Sequence, residues 1–354
     1  MTIPVLNIYY LLCYAWNNLE EGKKTHVDVS DSTTLLDLFA KVLITGTSHL
    51  FKRGLDRQYL VFEEAISGVR GKMNISETIK GNYLQNSKIY CEFDELSYNI
   101  LQNQILKATA FKLLNTPELD KDLKHSIKEI FNRLYTVDLV KINSSSFNKI
   151  RLNRNNCYYL FLLNVCKIIH ECLLPDERTG KYIFSDFVRD ERKMRNLFEK
   201  FIFNFYRIEQ HEFNVHSEYL SWEWKTEDVE GMSLLPKMKT DISLEKGQTK
   251  IIIDTKYYHE ALKSRFEADK LISANLYQIY TYIKHAKKTQ NEYDNFCGVL
   301  LYPTVSYDLN KIYWNEENTS LCIKTLNLNQ DWWLIRKDLL EIIGIKQTEY
   351  ANQN

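Results

Sequence analysis

The chain has 354 residues, of which 44% are hydrophobic, 13% aromatic and 26% charged, with 11 glycines and 5 prolines. So few glycines and prolines beside so many apolar side chains exclude a collagen-like, linker-like or disordered protein. Lys plus Arg and Asp plus Glu number 46 each, so any binding to nucleic acid must come from local patches or from a partner protein.

The length predicts two domains, because single cores seldom grow beyond about 250–300 residues. The strongest boundary signal is the turn-forming segment 175–180, Pro-Asp-Glu-Arg-Thr-Gly. We therefore predict an N-terminal domain of residues 1–178 and a second domain of residues 179–354.

The seven cysteines and the apolar runs bear on the compartment. An odd number of cysteines without a Cys-x-x-Cys pair predicts reduced thiols and a cytoplasmic protein. The longest apolar runs, 8–16 and 157–166, are much shorter than the ~18 residues that indicate a membrane span. The N-terminus carries no basic segment, so we expect no signal peptide.

The first half is predicted to be mixed α+β. Apolar residues at helical spacing predict helices over residues 8–19, 32–50, 96–114, 123–134 and 158–173. A stretch punctuated by glycines, 51–79, predicts short strands and turns. Lys149, Arg151 and Arg154 follow a serine-rich loop with no acid between them. This basic run either contacts phosphates or forms a solvated face.

The second half is predicted to be a small α/β core with a mixed sheet. A long amphipathic helix spans 194–208. Strands 237–244 and 249–258 follow, and the short polar connection 245–248 predicts a hairpin. A helix over 268–285 and a strand over 298–302 complete the order of elements.

Acidic and basic side chains converge at the end of this hairpin. Asp254 and Lys256 lie two residues apart in a strand and therefore point to the same face. The hairpin brings Asp241 back to about the level of Asp254. Two carboxylates there can share a divalent cation such as Mg²⁺, which activates water and neutralises charge on phosphorus. Lys256 either orients or deprotonates the attacking water, or stabilises the phosphorane. The alternative is a structural salt bridge across the strands.

Residues on the two flanking helices fit the same place. Glu199 lies at the edge of the apolar stripe of the helix before the hairpin, where it either reaches the metal or is an ordinary solvated glutamate. On the later helix, Asn275, Gln278 and Tyr282 form one polar stripe. Gln278 and Tyr282 position the lysine or a DNA phosphate, unless the stripe is only a polar surface.

The pattern Asp241…Asp254-Thr255-Lys256, with Glu199 before it and Gln278-x-x-x-Tyr282 after it, resembles the PD-(D/E)xK nuclease superfamily, in particular its RecB-like branch. Further segments resemble the McrC family, the nuclease subunits of McrBC modification-dependent restriction systems: 7–16, 67–72, 93–96, 234–242, 253–258 and 275–278. One departure is that Thr240, rather than proline, precedes Asp241.

The resemblance implies a restriction-endonuclease-like second domain with a mixed central sheet flanked by helices. It also implies a Mg²⁺-dependent DNA endonuclease in which Asp241, Asp254, Lys256, Gln278 and Tyr282 are catalytic. The metal ligands are then Asp241, Asp254, Glu199 and the backbone carbonyl of Thr255.

The resemblance further implies a partner, an McrB-like hexameric AAA+ GTPase that recognises modified cytosine in double-stranded DNA and whose GTP hydrolysis this chain stimulates. The sequence has no Gly-x-x-x-x-Gly-Lys-Ser/Thr motif, which agrees with a motor supplied by another protein. The N-terminal domain would dock on the ring, with the glycine-rich segment 62–79, including Arg70 and Lys72, as the inserted element.

Two other functions stay open. The chain could be a non-catalytic adaptor that activates an AAA+ partner, with the acidic pair serving only as structure. It could also be a stand-alone metal-dependent nuclease that needs neither partner nor nucleotide.

Overall fold

The computed structural model describes residues 3–17, 34–153, 156, 158–176, 178–222, 224, 230–231, 234–258, 272–289, 293–305, 308–315 and 318–345. The chain divides into two units. We call Lys24–Ser185 the helical unit, and Met1–Lys23 together with Asp186–Asn354 the sheet unit. In the described residues no helix is both long enough and apolar enough to cross a membrane.

Helices and strands alternate irregularly along the chain. The helices are α1 (Val5–Ala15), α2 (Leu35–Arg53), α3 (Ile75–Lys80), α4 (Leu101–Leu114), α5 (Lys121–Arg133), α6 (Ser144–Asn148), α7 (Tyr159–Cys172), α8 (Glu191–Glu209), α9 (Ser273–Thr289) and α10 (Trp332–Ile342). The strands are β1 (Gln58–Ile66), β2 (Lys72–Met73), β3 (Ile89–Ser97), β4 (Leu173–Pro175), β5 (Tyr182–Phe184), β6 (Asn214–His216), β7 (Tyr219–Leu220), β8 (Met238–Lys239), β9 (Ile242–Lys246), β10 (Thr249–Thr255), β11 (Asn295–Thr304), β12 (Asn310–Trp314) and β13 (Thr319–Asn327).

The helical unit combines packed helices with a small antiparallel sheet. Helix α2 packs against α5 and α7, and α4 also packs against both of these helices. The sheet has the strand order β1-β3-β2, and a 3-10 helix, Tyr83–Asn86, lies before β3. The sheet and the segments that connect its strands expose many large apolar side chains: Tyr59, Val61, Val69, Met73, Ile75, Ile79 and Leu84.

A hairpin occupies the segment that was predicted to be the domain boundary. Strands β4 and β5 pair with each other, and the turn between them is held by the Asp176 carboxylate, which accepts a hydrogen bond from Thr179 Oγ1 at 2.6 Å. The turn-forming residues therefore lie inside the helical unit, which extends to Ser185.

The centre of the sheet unit is a six-stranded mixed sheet of order β12-β13-β11-β10-β9-β6. Strand β11 runs parallel to both β10 and β13, and the other neighbours are antiparallel. Ile252 packs with Ile279 and Ile283 of α9, so this helix covers one face. Tyr257, of opposite alternation, lies against Phe198 of α8, with ring centroids 6.4 Å apart, so α8 covers the other face.

Helix α9 approaches β11 closely because Gly298 has no side chain. A Cβ atom at Gly298 would lie 2.3 Å from Cδ1 of Ile283 and 2.9 Å from Cγ1 of Ile279. These distances are far below van der Waals contact, so this glycine fixes the distance between the helix and the sheet.

Helix α1 differs from the prediction because it belongs to the sheet unit. Tyr14 donates a hydrogen bond to Glu209 Oε1 at 2.6 Å, and Asn204 donates to the Tyr14 carbonyl at 2.9 Å. Asn7 donates to the carbonyls of Leu328 and Gln330, both at 2.8 Å. Helix α1 is apolar on most of its surface and is buried by packing on α8. Domain 1–178 therefore does not match the helical unit at its N-terminal end.

Other boundaries also shift. The predicted strand over 237–244 is two strands, β8 and β9, interrupted at Thr240 and Asp241. The predicted helix over 96–114 begins only at Leu101, because β3 extends to Ser97. The predicted helix over 268–285 is observed as α9, although its first predicted residues lie outside the described part of the chain.

Candidate functional site

The β9–β10 hairpin positions the two aspartates. Its two-residue turn contains Gly247 with φ +54°, a conformation that glycine adopts without strain. The register pairs Ile253 with Ile242, and Asp254 and Asp241 are the residues next to this pair. Both aspartates therefore lie at the same end of the hairpin. Strand β10 is interior to the sheet, and its run of three isoleucines is buried. Asp254 thus emerges from the core, as the sequence predicted.

A chain of polar contacts joins Asp254 to α9. Lys256 Nζ lies 2.8 Å from Asp254 Oδ2 and donates a hydrogen bond to Gln278 Oε1 at 2.9 Å. Gln278 Nε2 in turn donates a hydrogen bond to Tyr282 OH at 2.8 Å. The lysine ammonium is therefore held between a strand carboxylate and a helix amide, which fixes its position.

Asp241 is fixed to the end of β10 by the residue that separates Asp254 from Lys256. Its Oδ2 accepts hydrogen bonds from the backbone N–H of Thr255 at 2.9 Å and from Thr255 Oγ1 at 3.0 Å. Asp241 lies in the break between β8 and β9, outside both strands, where its side chain can reach Thr255.

Burial gives Asp254 unusual acid–base behaviour. Desolvation, reinforced by the nearby Asp241 carboxylate, raises the pKa of Asp254 to about 7, although the Lys256 ammonium opposes the rise. Asp254 Oδ1 is buried and has no hydrogen-bond partner among the described residues. A buried carboxylate oxygen without a donor is costly unless a cation or water satisfies it.

Glu199 faces the same carboxylates from α8. It is half-buried, and its pKa is raised by burial and then by the charge of Asp241. The Lys256 charge opposes this rise. The structure therefore brings Glu199 into the electrostatic neighbourhood of Asp241 and Asp254, on the helix where the sequence analysis placed it.

The donor set at this place fits a hard divalent cation. Carboxylate oxygens are the ligands that Mg²⁺ prefers, and Mg²⁺ keeps several waters rather than requiring an all-protein cage. The unpartnered Asp254 Oδ1 is the observation that supports this fit.

A tighter cluster of possible ligands lies elsewhere in the sheet. In the described part of the chain, one group of three such side chains has its ligand atoms within 4.8 Å of one another: His216, Glu218 and Glu245. Lys250 Nζ lies 2.8 Å from Glu218 Oε1 and 2.8 Å from Glu245 Oε1. A buried ammonium thus already lies between these two glutamates and offsets one of their two negative charges. The sequence analysis did not single out this group.

A second network supports α9 behind the lysine. Asn275 Oδ1 accepts a hydrogen bond from Tyr258 OH, and Asn275 Nδ2 donates to Tyr302 OH, both at 3.1 Å. Asn275 is buried, so it is not part of a polar surface. The sequence analysis missed Tyr258 and Tyr302 because only tertiary packing brings them to Asn275.

The family model described as "McrBC 5-methylcytosine restriction system component" matches residues 7–303 of this chain. The chain belongs to this McrBC family. A relative from Escherichia coli strain K12, "Type IV methyl-directed restriction enzyme EcoKMcrBC", is 33% identical over 341 residues, which covers 96% of this chain and 97% of the relative. The residues discussed above up to Tyr302 all lie within the range that the McrBC family model matches.

A solved structure shares the fold of this McrBC family member. It is a chain of the refined half-complex from the tetradecameric assembly of Thermococcus gammatolerans McrB AAA+ hexamers with bound McrC. The TM-score is 0.59 at 16% sequence identity, and the match covers 96% of this chain and 75% of that chain.

Proposed function

We propose that this chain is the DNA-cleaving subunit of an McrBC-type restriction system. It acts as a Mg²⁺-dependent endonuclease on DNA containing modified cytosine, in complex with an McrB-like hexameric AAA+ GTPase whose GTP hydrolysis it stimulates. Membership of the McrBC family, whose model is named for a 5-methylcytosine restriction system, supports the biological role. The Escherichia coli relative, described as a methyl-directed restriction enzyme, supports the reaction.

The geometry that carries the proposal is the contact chain from Asp254 through Lys256 to Gln278, with Asp241 fixed beside it. This arrangement corresponds to the PD-(D/E)xK pattern, in which an acid before the hairpin and an acid-x-lysine at the end of the second strand meet. A structural salt bridge across the strands would not require a buried aspartate with a free oxygen, and this aspartate is buried.

The side chains divide the work of phosphodiester hydrolysis. Bound Mg²⁺ would lower the pKa of a coordinated water and offset negative charge that develops on the phosphate. Asp254 and Asp241, with Glu199 and the Thr255 carbonyl, would hold it. Lys256 orients the attacking water or neutralises the phosphate oxygens.

Gln278 serves Lys256 by accepting one of its three N–H bonds, and Asp254 contacts the ammonium as well, which leaves one N–H for the reaction. Tyr282 accepts from the Gln278 amide and so fixes which end of that amide faces the lysine. Both residues then contribute chiefly by positioning, which is worth large factors in rate when a 1 Å error is costly.

The helical unit is proposed to dock on the GTPase ring. Its three-stranded sheet and the short helix α3 that follows β2 carry exposed apolar side chains; in α3, Ile75 is 64% and Ile79 65% exposed. Exposed apolar side chains grouped on neighbouring elements are typical of a protein–protein contact. In the segment 62–79, Arg70 bonds to Glu95 Oε2 at 3.1 Å and stacks on Phe93, which braces the base of this surface.

The proposal is tested by reconstitution. Three samples are prepared: the purified chain, the GTPase encoded by the neighbouring gene, and both proteins together. Each is incubated with methylated or unmethylated duplex DNA in the presence of GTP and Mg²⁺. We expect cleavage only of methylated DNA, only by the complete mixture, and loss of cleavage on chelation of Mg²⁺. GTP hydrolysis stimulated by the chain without any strand breakage would instead support the non-catalytic adaptor. Cleavage by the chain alone would support the stand-alone nuclease.

A further inference from the structure

The helical unit contains a cavity that the proposed function does not use. Its volume is about 410 Å³, and it lies between the start of α4 and the extended segment that follows α6. Its polar lining residues are Gln58, Asn99, Gln102, Gln104, Lys149 and Arg151. Two of these, Lys149 and Arg151, belong to the basic run seen in the sequence, whose third member, Arg154, lies outside the described residues.

The charged side chains that line this cavity are both cations, Lys149 and Arg151. Both cations are exposed, and within the described ranges neither is paired with a carboxylate. No Asp or Glu belongs to the lining. Two carboxylates lie next to the wall and accept hydrogen bonds from its amides: Asn99 donates to Asp138 at 2.5 Å, and Gln102 donates to Asp56 at 2.9 Å.

The start of α4 adds donors of the same sign. The residue before the helix is Ile100, which has no side-chain oxygen to cap the first turn. The first backbone bond of the helix runs from Gln104 N to Ile100 O, at 2.9 Å, so the preceding N–H groups have no partner within the helix. These N–H groups and the positive end of the helix dipole favour an anion at the position that Lys149 and Arg151 border.

We propose that this cavity binds a phosphate group, and that the group is a backbone phosphate of DNA. Arg and Lys together with amide and backbone N–H donors are the groups that hold nucleic-acid phosphates. The choice of DNA rests on the proposed function. It is also favoured because the cations are exposed, as a continuous polymer requires, and because the sequence has no Gly-x-x-x-x-Gly-Lys-Ser/Thr motif to bind a nucleoside triphosphate. The cavity would then hold the duplex at a point separate from the nuclease residues.

The test is DNA binding by the full chain in EDTA, so that cleavage cannot occur. Fluorescence anisotropy of a labelled 20-base-pair duplex is recorded at several KCl concentrations for wild type and for Lys149→Ala/Arg151→Ala. We expect the double variant to bind about tenfold more weakly. We also expect its salt dependence to be weaker, with the slope of log K against log salt less negative by about 1. The matched control is Lys128→Ala/Arg178→Ala, which removes one exposed lysine and one exposed arginine from the same unit. We expect this control to bind like wild type.

A second variant guards against indirect effects. Gln58→Glu leaves both cations in place but adds a negative charge to the lining, and we expect it to weaken binding as well. Thermal unfolding of each variant checks that the fold is retained. Equal binding by wild type, the cavity variants and the control would overturn the proposal, as would a wild-type chain that shows no saturable binding at 50 mM KCl.

Two further arms separate this inference from its alternatives. Wild type and the same variants are also titrated with GTP and with inorganic phosphate, to identify which molecule supplies the phosphate group. Cavity variants that lose GTP binding but bind DNA like wild type would overturn DNA as the ligand. Cleavage by the reconstituted Asp254→Asn complex is scored separately. Loss of DNA binding in the cavity variants together with a cleavage-competent Asp254→Asn would refute the nuclease site and leave the phosphate site standing.

Discussion

Asp254 combines burial with charge, and this combination has consequences that can be measured. Its carboxyl lies at the end of an interior strand with one oxygen free of donors, and its pKa is raised to about 7 by burial and by Asp241. The folded protein therefore binds this proton more tightly than the unfolded chain, in which an Asp has a pKa near ~3.9. A cation bound at the free oxygen would reverse this preference.

We predict that the stability contributed by Asp254 is fully present below about pH 4 and is lost as the pH rises to about 7. A rise of about 3 pKa units corresponds to roughly 4 kcal/mol at most. In EDTA, Asp254→Asn should therefore gain Tm relative to wild type between these pH values, with no further gain above pH 7. Differential scanning calorimetry measures the gap. The exposed Asp294→Asn should give a constant gap, and a constant gap for Asp254→Asn would contradict the burial argument.

We also predict that Gln278→Ala lowers the cleavage rate of the reconstituted complex by about 10–100-fold, because Lys256 loses the acceptor that holds its ammonium. Single-turnover cleavage measures the rate, and Tm should change little. Lys284→Ala, an exposed residue of the same helix, should retain the wild-type rate. An unchanged rate in Gln278→Ala would mean that the amide has no part in positioning the lysine.

These residue contacts were predictable to different degrees. Asp254 and Lys256 share a face because strand alternation requires it, and Gln278 and Tyr282 lie one helical turn apart. Sequence spacing could not predict the contact of Asn275 with Tyr302, since this depends on how closely α9 approaches β11.

At the scale of elements, the β9–β10 hairpin carries a second buried charge. Lys250 has a fully buried side chain, and its ammonium lies 2.8 Å from both Glu218 and Glu245. The same hairpin carries an exposed pair, Lys246 with Glu212 at 2.5 Å. The two lysines therefore differ in burial and in the number of carboxylates they contact, which is two for Lys250 and one for Lys246.

We predict that Lys250→Ala lowers the free energy of unfolding by about 3–5 kcal/mol, because it leaves two partly buried carboxylates without the ammonium they share. Lys246→Ala should cost less than about 1 kcal/mol, since the exposed pair is screened by water. Urea denaturation of both variants measures the difference. Similar losses of stability in the two variants would show that the Lys250 ammonium is not needed to stabilise Glu218 and Glu245.

The elements after residue 302 were harder to predict than the hairpin and the helix before it. Helix α8 and the hairpin follow from apolar periodicity and from the short polar turn. No element was assigned after residue 302, where β12, β13 and α10 lie. Strand β12 is exposed at all five positions, and β13 shows no alternation of buried and exposed residues, so neither carries the period-two signal.

At the scale of the whole molecule, chain order and packing disagree at the N-terminus. Helix α1 comes first in the sequence, yet it packs on α8 in the sheet unit. Its apolar composition predicts that it is buried, but it does not show against which surface. The two-unit organisation was inferred from the length, whereas the partner of α1 is decided by contacts such as Tyr14 with Glu209.

We predict that Ile75→Ser/Ile79→Ser abolishes stimulation of GTP hydrolysis by the chain, because both side chains are exposed on the surface proposed to dock on the ring. Their exposure means that the fold should be retained, which circular dichroism checks. The control is Tyr135→Ser/Leu139→Ser, another exposed apolar pair of the helical unit, which should stimulate like wild type. Normal stimulation by the Ile75/Ile79 variant would place the docking surface elsewhere.

The most direct test of the nuclease assignment measures strand cleavage and GTP hydrolysis in the same reconstituted reaction. With Asp254→Asn, we expect cleavage of methylated DNA to fall by at least about 10²-fold while stimulated GTP hydrolysis stays at the wild-type rate. With the control Asp294→Asn, both activities should be retained. Cleavage by Asp254→Asn at the wild-type rate would contradict the account, since the buried carboxylate would then have no role in breaking the phosphodiester bond.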